Sequence, residues 1–393
     1  MSMRLKNSRG LFFKITKEPQ KSFWAHPDFI SLVEAANGRP IPKEILNWDP
    51  CAEGSRSNCP MLQDTLDMLV KLVDPRWRAR VKNIYAGRTY SNDDMAQADK
   101  NLRGGMVAIS NEYTAILFAY AAMYDNFIHS VDLANKLSAT DSDALWRGMH
   151  KELDESIESY RIGGILALKG KPLMVFPNEE FRQNAYSGSS VAEAWTIAHE
   201  LSHHLVRDMS ARRDKGVEAI IKELTSYSSI GQEIRNMSRS QRDEIEADLL
   251  ATLILAGHFT PQNRPPLAAH NAITAGALSL IAIAHLRNEW TTDPADSHPG
   301  CFDRLRILLT IMSEIYGNQI AYPNDPEREH MLVYRAAGLL MTYGHWAKGL
   351  MDDISELGLP HGLDSRSMNY IIATYTTEFG IAADEYAERT MRQ

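Results

Sequence analysis

The chain has 393 residues, enough for one large domain or two ordinary ones around a sizeable core. Its net charge of −8, and the lack of any Lys/Arg block with interleaved aromatics, set it apart from nucleic-acid binders. Three cysteines, Cys51, Cys59 and Cys301, form no C-x-x-C pair and no disulfide framework, which points to a reducing compartment.

The basic start MSMRLKNSRGLFFKITKEPQKSF has only LFF as an apolar core, too short for a secretory segment. Breakers at Pro19, Gly38, Pro40, Pro42 and Pro50 make residues 1–60 read as an extended, loop-rich lead-in wrapping a larger body. Pro60 then opens a helix with Leu62, Leu66, Leu69, Val70 and Val73 at helical spacing, and Asp74-Pro75 stops it. Arg103–Ser110 reads as a strand, and a long helix follows from Asn111 to about Leu137. Another helix is expected over 142–160. Residues 161–177 make the best hairpin candidate, with short strands at Ile165–Leu168 and Leu173–Phe176.

Residues 191–208 carry the chemistry. His199-Glu200-Leu201-Ser202-His203 is an H-E-x-x-H, and histidines four apart on a helix can reach one metal ion from one face. The glutamate between them can act as a general base on a metal-activated water. Ser190-x-x-Glu193 reads as a capping box opening this helix, behind the punctuation of Gly188, Ser189 and Ser190. His204 points about 100° away from the ligand face and reads as packing or surface.

An irregular helical connector is expected over 216–231, then a capped helix from near Ser240 to Ala256, stopped by Gly257. The apolar run 272–286 is shorter than the roughly 20 residues that span a bilayer and reads as a core helix. A helix over 302–316 and a helical remainder over 327–393 complete the chain. A soluble, cytoplasmic protein is expected, with no membrane partner.

Two histidines leave a catalytic metal site one protein ligand short. The helix near 240–256 offers Glu244 and Asp248, four apart on one face, so one could ligate while the other orients a histidine. Asp208, Asp214, Glu218, Glu223 and Glu233 stay open as alternatives. Asp243 and Glu246 read as ordinary N-terminal helix acids.

H-E-x-x-H at 199–203, E-x-x-x-D at 244–248 and His298-Pro299 with Arg304-Leu305, in that order, resemble the gluzincin metallopeptidases, above all the HtpX and CAAX-prenyl-endopeptidase group. The resemblance covers about residues 185–310, and the membrane helices of that group have no counterpart. Soluble phage-exclusion peptidases of the Lit type are a second possible kin. The resemblance implies a predominantly helical α+β fold, with a zincin-like core and a small sheet before the active-site helix. It implies Zn2+ held by His199, His203 and Glu244, with Glu200 as general base, and Asp248 orienting a ligand histidine. His298 would be a transition-state donor and Arg304 either a brace of the cleft or the partner of a helix-face acid such as Asp248, with Tyr186 and Tyr227 as reserve donors. The expected organisation is a lead-in over 1–100, a catalytic domain over 101–316 and a helical region over 317–393. The expected partner is a protein or peptide substrate, lying along an edge strand at Met106–Ser110 or Leu173–Phe176. A metal-stabilised regulatory protein without proteolysis, and a defence peptidase triggered by phage, are the competing readings.

Overall fold

The computed structural model describes residues 2–27, 30, 31, 34, 40–90, 96–101, 104–134, 151, 155, 159, 179–206, 214–226, 231–261, 268–287, 298–301, 303–305, 307, 308, 311 and 312. In chain order its elements are α1 (Met3–Thr16), α2 (Lys43–Leu46), α3 (Pro60–Leu72), α4 (Arg78–Val81), β1 (Tyr85–Thr89), β2 (Ala96–Asn101), β3 (Gly104–Ser110), α5 (Asn111–Ala134), α6 (Glu179–Val206), α7 (Lys215–Ser226), α8 (Gly231–Asn236), α9 (Arg239–Leu255) and α10 (Ala268–Arg287). The described residues between 301 and 312 are helical. The chain is mostly helical with one small three-stranded sheet, an α+β arrangement as the sequence implied. The expected helix over 142–160 (positions 151, 155 and 159 apart), the hairpin over 161–177 and the helices over 327–393 lie outside the described residues.

α6 is the axis of the molecule. Ala192, Ala194, Trp195, Ile197, Ala198, Leu201 and Leu205 are all buried, so the apolar surface of this helix runs nearly all round. Three of those residues are alanines, whose small side chains let neighbours approach closely. α5, α9, α10, β2 and β3 all pack against it.

α6 begins at Glu179, eleven residues before the expected cap. Gly188, Ser189 and Ser190 lie inside it, where the two serine hydroxyls donate back to the Tyr186 carbonyl at 3.1 and 2.7 Å. Hydroxyls satisfied by the helix's own carbonyls no longer compete with it, and packing overrides their turn preference. Glu193 caps nothing. Its carboxylate accepts from the buried Arg88 guanidinium at 2.9 Å and from the Thr114 hydroxyl at 2.7 Å, tying β1 and α5 to α6. The capping box belongs instead to α9: Ser238 accepts from Gln241 N, and the Gln241 side chain accepts from Ser238 N.

The strand order is β1-β3-β2, with β1 parallel and β2 antiparallel to β3. Side chains alternate across the sheet as a strand requires. Val107 and Ile109 face the helical core, while Met106 and Ala108 join Tyr85 under Phe12 and Phe13 of α1. Two expectations are corrected here. The first residues are not a loop but a helix, capped by the Ser2 hydroxyl on Leu5 N and covering the outer face of the sheet. Met106–Ser110 is not an edge, because β3 is the central strand. Among the described residues the strand that ends the sheet nearest α6 is β2. No helix among the described residues is long and apolar enough to cross a membrane.

Candidate metal centre

Two helices deliver the site. α6 carries His199, Glu200 and His203, α9 carries Glu244 and Asp248, and the two pack side by side. Nε2 of His199 and Nε2 of His203 lie 3.1 Å apart. The Glu244 carboxylate faces both, with Oε1 at 3.4 Å from His203 Nε2 and Oε2 at 3.5 Å from His199 Nε2.

These separations can be tested against a metal's demands. Ligand atoms bound tetrahedrally at the usual zinc distances stand about 3.3 Å from one another. The two imidazole nitrogens, 3.1 Å apart, sit just under that edge, and each has one Glu244 oxygen, a different one for each, at 3.4 or 3.5 Å. His199, His203 and Glu244 are also the one His/Cys/Asp/Glu group among the described residues compact enough to hold an ion. The donors fit the group, and the charge balance agrees. Glu244 and Asp248 bring two formal negative charges to the centre and Arg304 one positive, so a cation is electrostatically welcome.

Behind the ligands stands a second layer. Nδ1 of His199 is 2.8 Å from Oδ1 of Asp248, an ion-pair distance whose angle falls short of a well-aligned hydrogen bond. Arg304, itself buried, grips Asp248 with two parallel bonds, Nε to Oδ2 at 2.9 Å and Nη2 to Oδ1 at 2.8 Å. Its Nη1 reaches Oε2 of Glu244 at 3.5 Å. One guanidinium therefore braces both the candidate ligand and the acid that orients its neighbour. His298 stands further out, 39% exposed, with Nε2 at 3.5 Å from Glu244 Oε1.

The electrostatics split the two histidines. Burial disfavours the charged form of His199, but Asp248 and Glu244 outweigh it and hold its pKa up to about 9. Burial, reinforced by the charge on His199, pushes His203 down to about 3. Burial alone would raise Glu244, yet its hydrogen bond with His199 and the charge of Arg304 hold it well below the usual carboxylate range.

The structure brings His199, His203, Glu244, Asp248, His298 and Arg304 to one place, with Glu200 buried beside His199 on the same helix. Asp214 and Tyr186 are not part of this group. Asp214 pairs with Arg80 at 2.6 Å and accepts from Gly216 N and Val217 N at the start of α7. Tyr186 lies 13 residues up the helix from His199, about 20 Å away at 1.5 Å per residue. Asp208 and Tyr227 lie outside the described residues.

Several contacts to the site carried no sequence signal strong enough to be read. Trp195 stacks on the His199 ring, 5.7 Å between centroids at 24°. Its spacing, four before His199, is the one clue the sequence held. His204 is buried, not a surface residue, and its Nε2 meets the Met106 carbonyl at 3.1 Å. It fits because the strand residue opposite is Gly105, where a Cβ would lie 2.8 Å from the imidazole. At the C-terminal end of α6 the Lys100 ammonium donates to the His203 carbonyl at 3.4 Å, and Arg80 to the His204 carbonyl at 3.1 Å. Both cations suit the negative pole of the helix.

No family model, no curated protein and no solved structure matches the chain.

Proposed function

We propose that the chain is a zinc-dependent endopeptidase of the gluzincin kind, with Glu200 as general base. One observation carries the reading: a corner of His199, His203 and Glu244, at mutual distances of 3.1, 3.4 and 3.5 Å, built on an H-E-x-x-H helix. Two imidazoles and a carboxylate leave a fourth position open, the ligand set of hydrolytic zinc sites. Zinc bound there supplies a Lewis acid that polarises a carbonyl and makes water acidic near neutral pH.

The chain's own groups do the rest. Glu200 accepts the proton of the attacking water and returns it to the departing amine nitrogen. His298, at the exposed rim beside Glu244, donates to the carbonyl oxygen as negative charge builds on it. Asp248 and Arg304 keep His199 and Glu244 oriented throughout. Attack by water requires no serine or cysteine nucleophile. An extended peptide pairs through its backbone with β2, next to α6. The order of small sheet, ligand helix and third-ligand helix supports the zincin-like core that this reading implies.

The test measures zinc in the purified protein and cleavage of an unfolded protein substrate. Wild type is expected to carry about one zinc per chain and to cleave. Glu200→Ala should keep the zinc and lose the cleavage. A Glu200→Ala protein that cleaves at the wild-type rate overturns the assignment.

A further inference from the structure

One hydroxyl ties together the two groups that touch His199 from behind. The Trp195 indole N–H donates to Thr252 Oγ1 at 2.8 Å, and that same hydroxyl donates to the Asp248 carbonyl at 2.9 Å, one turn back along α9. Trp195 stacks on the face of His199 and Asp248 meets its Nδ1. The contacts therefore close a ring: His199, Trp195, Thr252, Asp248 and back to His199. Trp195, Thr252 and Asp248 are all buried, so the ring is closed off from bulk solvent.

The neighbouring elements leave room for the indole. On α10, a Cβ added at Gly276 would fall 2.9 Å from Trp195 Cε2, 2.9 Å from its Nε1 and 2.8 Å from Leu308 Cδ2. Real side chains do not pack that close, so the absence of one at 276 lets α10 press against the indole edge. Helices α6, α9 and α10 thus converge on this tryptophan, with Leu308 beside Gly276. An indole held on its edge, and anchored at its N–H, cannot tilt.

We infer that Trp195, anchored by Thr252 and backed by Gly276, is a positioning residue that fixes the ring plane of His199 for metal binding. The inference rests on the metal-centre reading above and extends it beyond the groups that touch His199 through Nδ1 or Nε2. With the face of the imidazole stacked and its Nδ1 edge held by Asp248, Nε2 has one direction left, toward His203 and Glu244. Loss of the anchor frees the indole, and with it the rotation of the imidazole about its own axis.

The test uses the full chain, loaded with Zn2+ against a chelating indicator and separately with Co2+, whose visible bands report ligand geometry. Thr252→Val removes the hydroxyl at nearly constant shape, Trp195→Phe removes the N–H, and Gly276→Ala crowds the indole. Each is expected to weaken zinc binding by roughly 10- to 100-fold and to shift the cobalt bands, with the helical circular dichroism retained. Thr252→Ser, which keeps the hydroxyl, should restore both. A residue that merely supports the fold would lower the melting temperature and leave the cobalt bands alone. Wild-type affinity and an unshifted cobalt spectrum in a folded Thr252→Val protein overturn the inference while the metal centre stands. A wild-type protein that takes up neither ion overturns both.

Discussion

The Nε2 atoms of His199 and His203 face each other at 3.1 Å across one helical turn, with their rings at 88°. With His199 held up to about 9 and His203 pushed down to about 3, the pair shares one proton through the neutral range. Such a proton would compete with a metal ion for the same facing nitrogens.

Metal uptake must therefore expel it. At pH 7 about one proton should be released per ion bound, and apparent affinity should rise roughly tenfold per pH unit up to about 9 before levelling. Calorimetry in two buffers of different ionisation heat measures the proton directly. Affinity that stays constant between pH 6 and 9 contradicts the shared proton.

The same group links pH to the stability of the metal-free protein. The folded-state value of His199, about 9, lies above its ordinary 6.5, so its contribution is complete below pH 6.5 and is lost as pH rises through 9. Urea midpoints of metal-free protein should fall across that window. With the ion bound there is no proton to lose, and the His199 part of the slope should vanish.

Arg304→Ala should be among the most damaging single changes in the molecule. It strands the buried carboxylate of Asp248 and takes a cation from Glu244, at a cost of about 3–5 kcal/mol. Arg304→Lys should recover only part, since an ammonium cannot make the two parallel bonds. Equilibrium unfolding of the metal-free proteins gives the comparison.

Glu193→Ala separates the fold from the site. It leaves Arg88 buried without its carboxylate, seven residues up α6 from Glu200, and should cost about 3 kcal/mol or more. Metal stoichiometry of the folded fraction should stay at the wild-type value, read by elemental analysis after gel filtration.

How much of this was legible in the sequence depends on the scale of the signal. Period and spacing found α3, β3, α5, α9 and α10 to within a few residues, and put Glu244 and Asp248 on one helical face. β1 and β2 were invisible because YAGRT and AQADKN carry no strong apolar strand pattern; β1 is buried by what packs on it, and residues 96–100 of β2 are only half-buried. α1 was hidden by the breakers that follow it, since its apolar face is narrow and needs Tyr85 and Met106 to be buried at all. The start of α6 was misplaced because Ser190 and Glu193 spell a capping box that tertiary partners outvote. At the site, residue types with metal chemistry announced themselves. Trp195, Thr252 and Gly276 did not, because their contribution is contact across helices, which no local pattern encodes.

The pairing of His199 with His203 also bears on what an empty protein is like. In small zinc-nucleated modules, loss of the ion leaves ligands with nothing to hold them, and the fold goes with it. Here the two facing nitrogens satisfy each other, Arg304 already balances Asp248, and the helices that carry them are cemented by an apolar interior of their own. An ion bound at this centre would exchange with a proton, and its removal should leave the architecture standing. Loading would then be a reversible occupancy, set by the free ion concentration around a finished molecule and not by a once-only event during its folding.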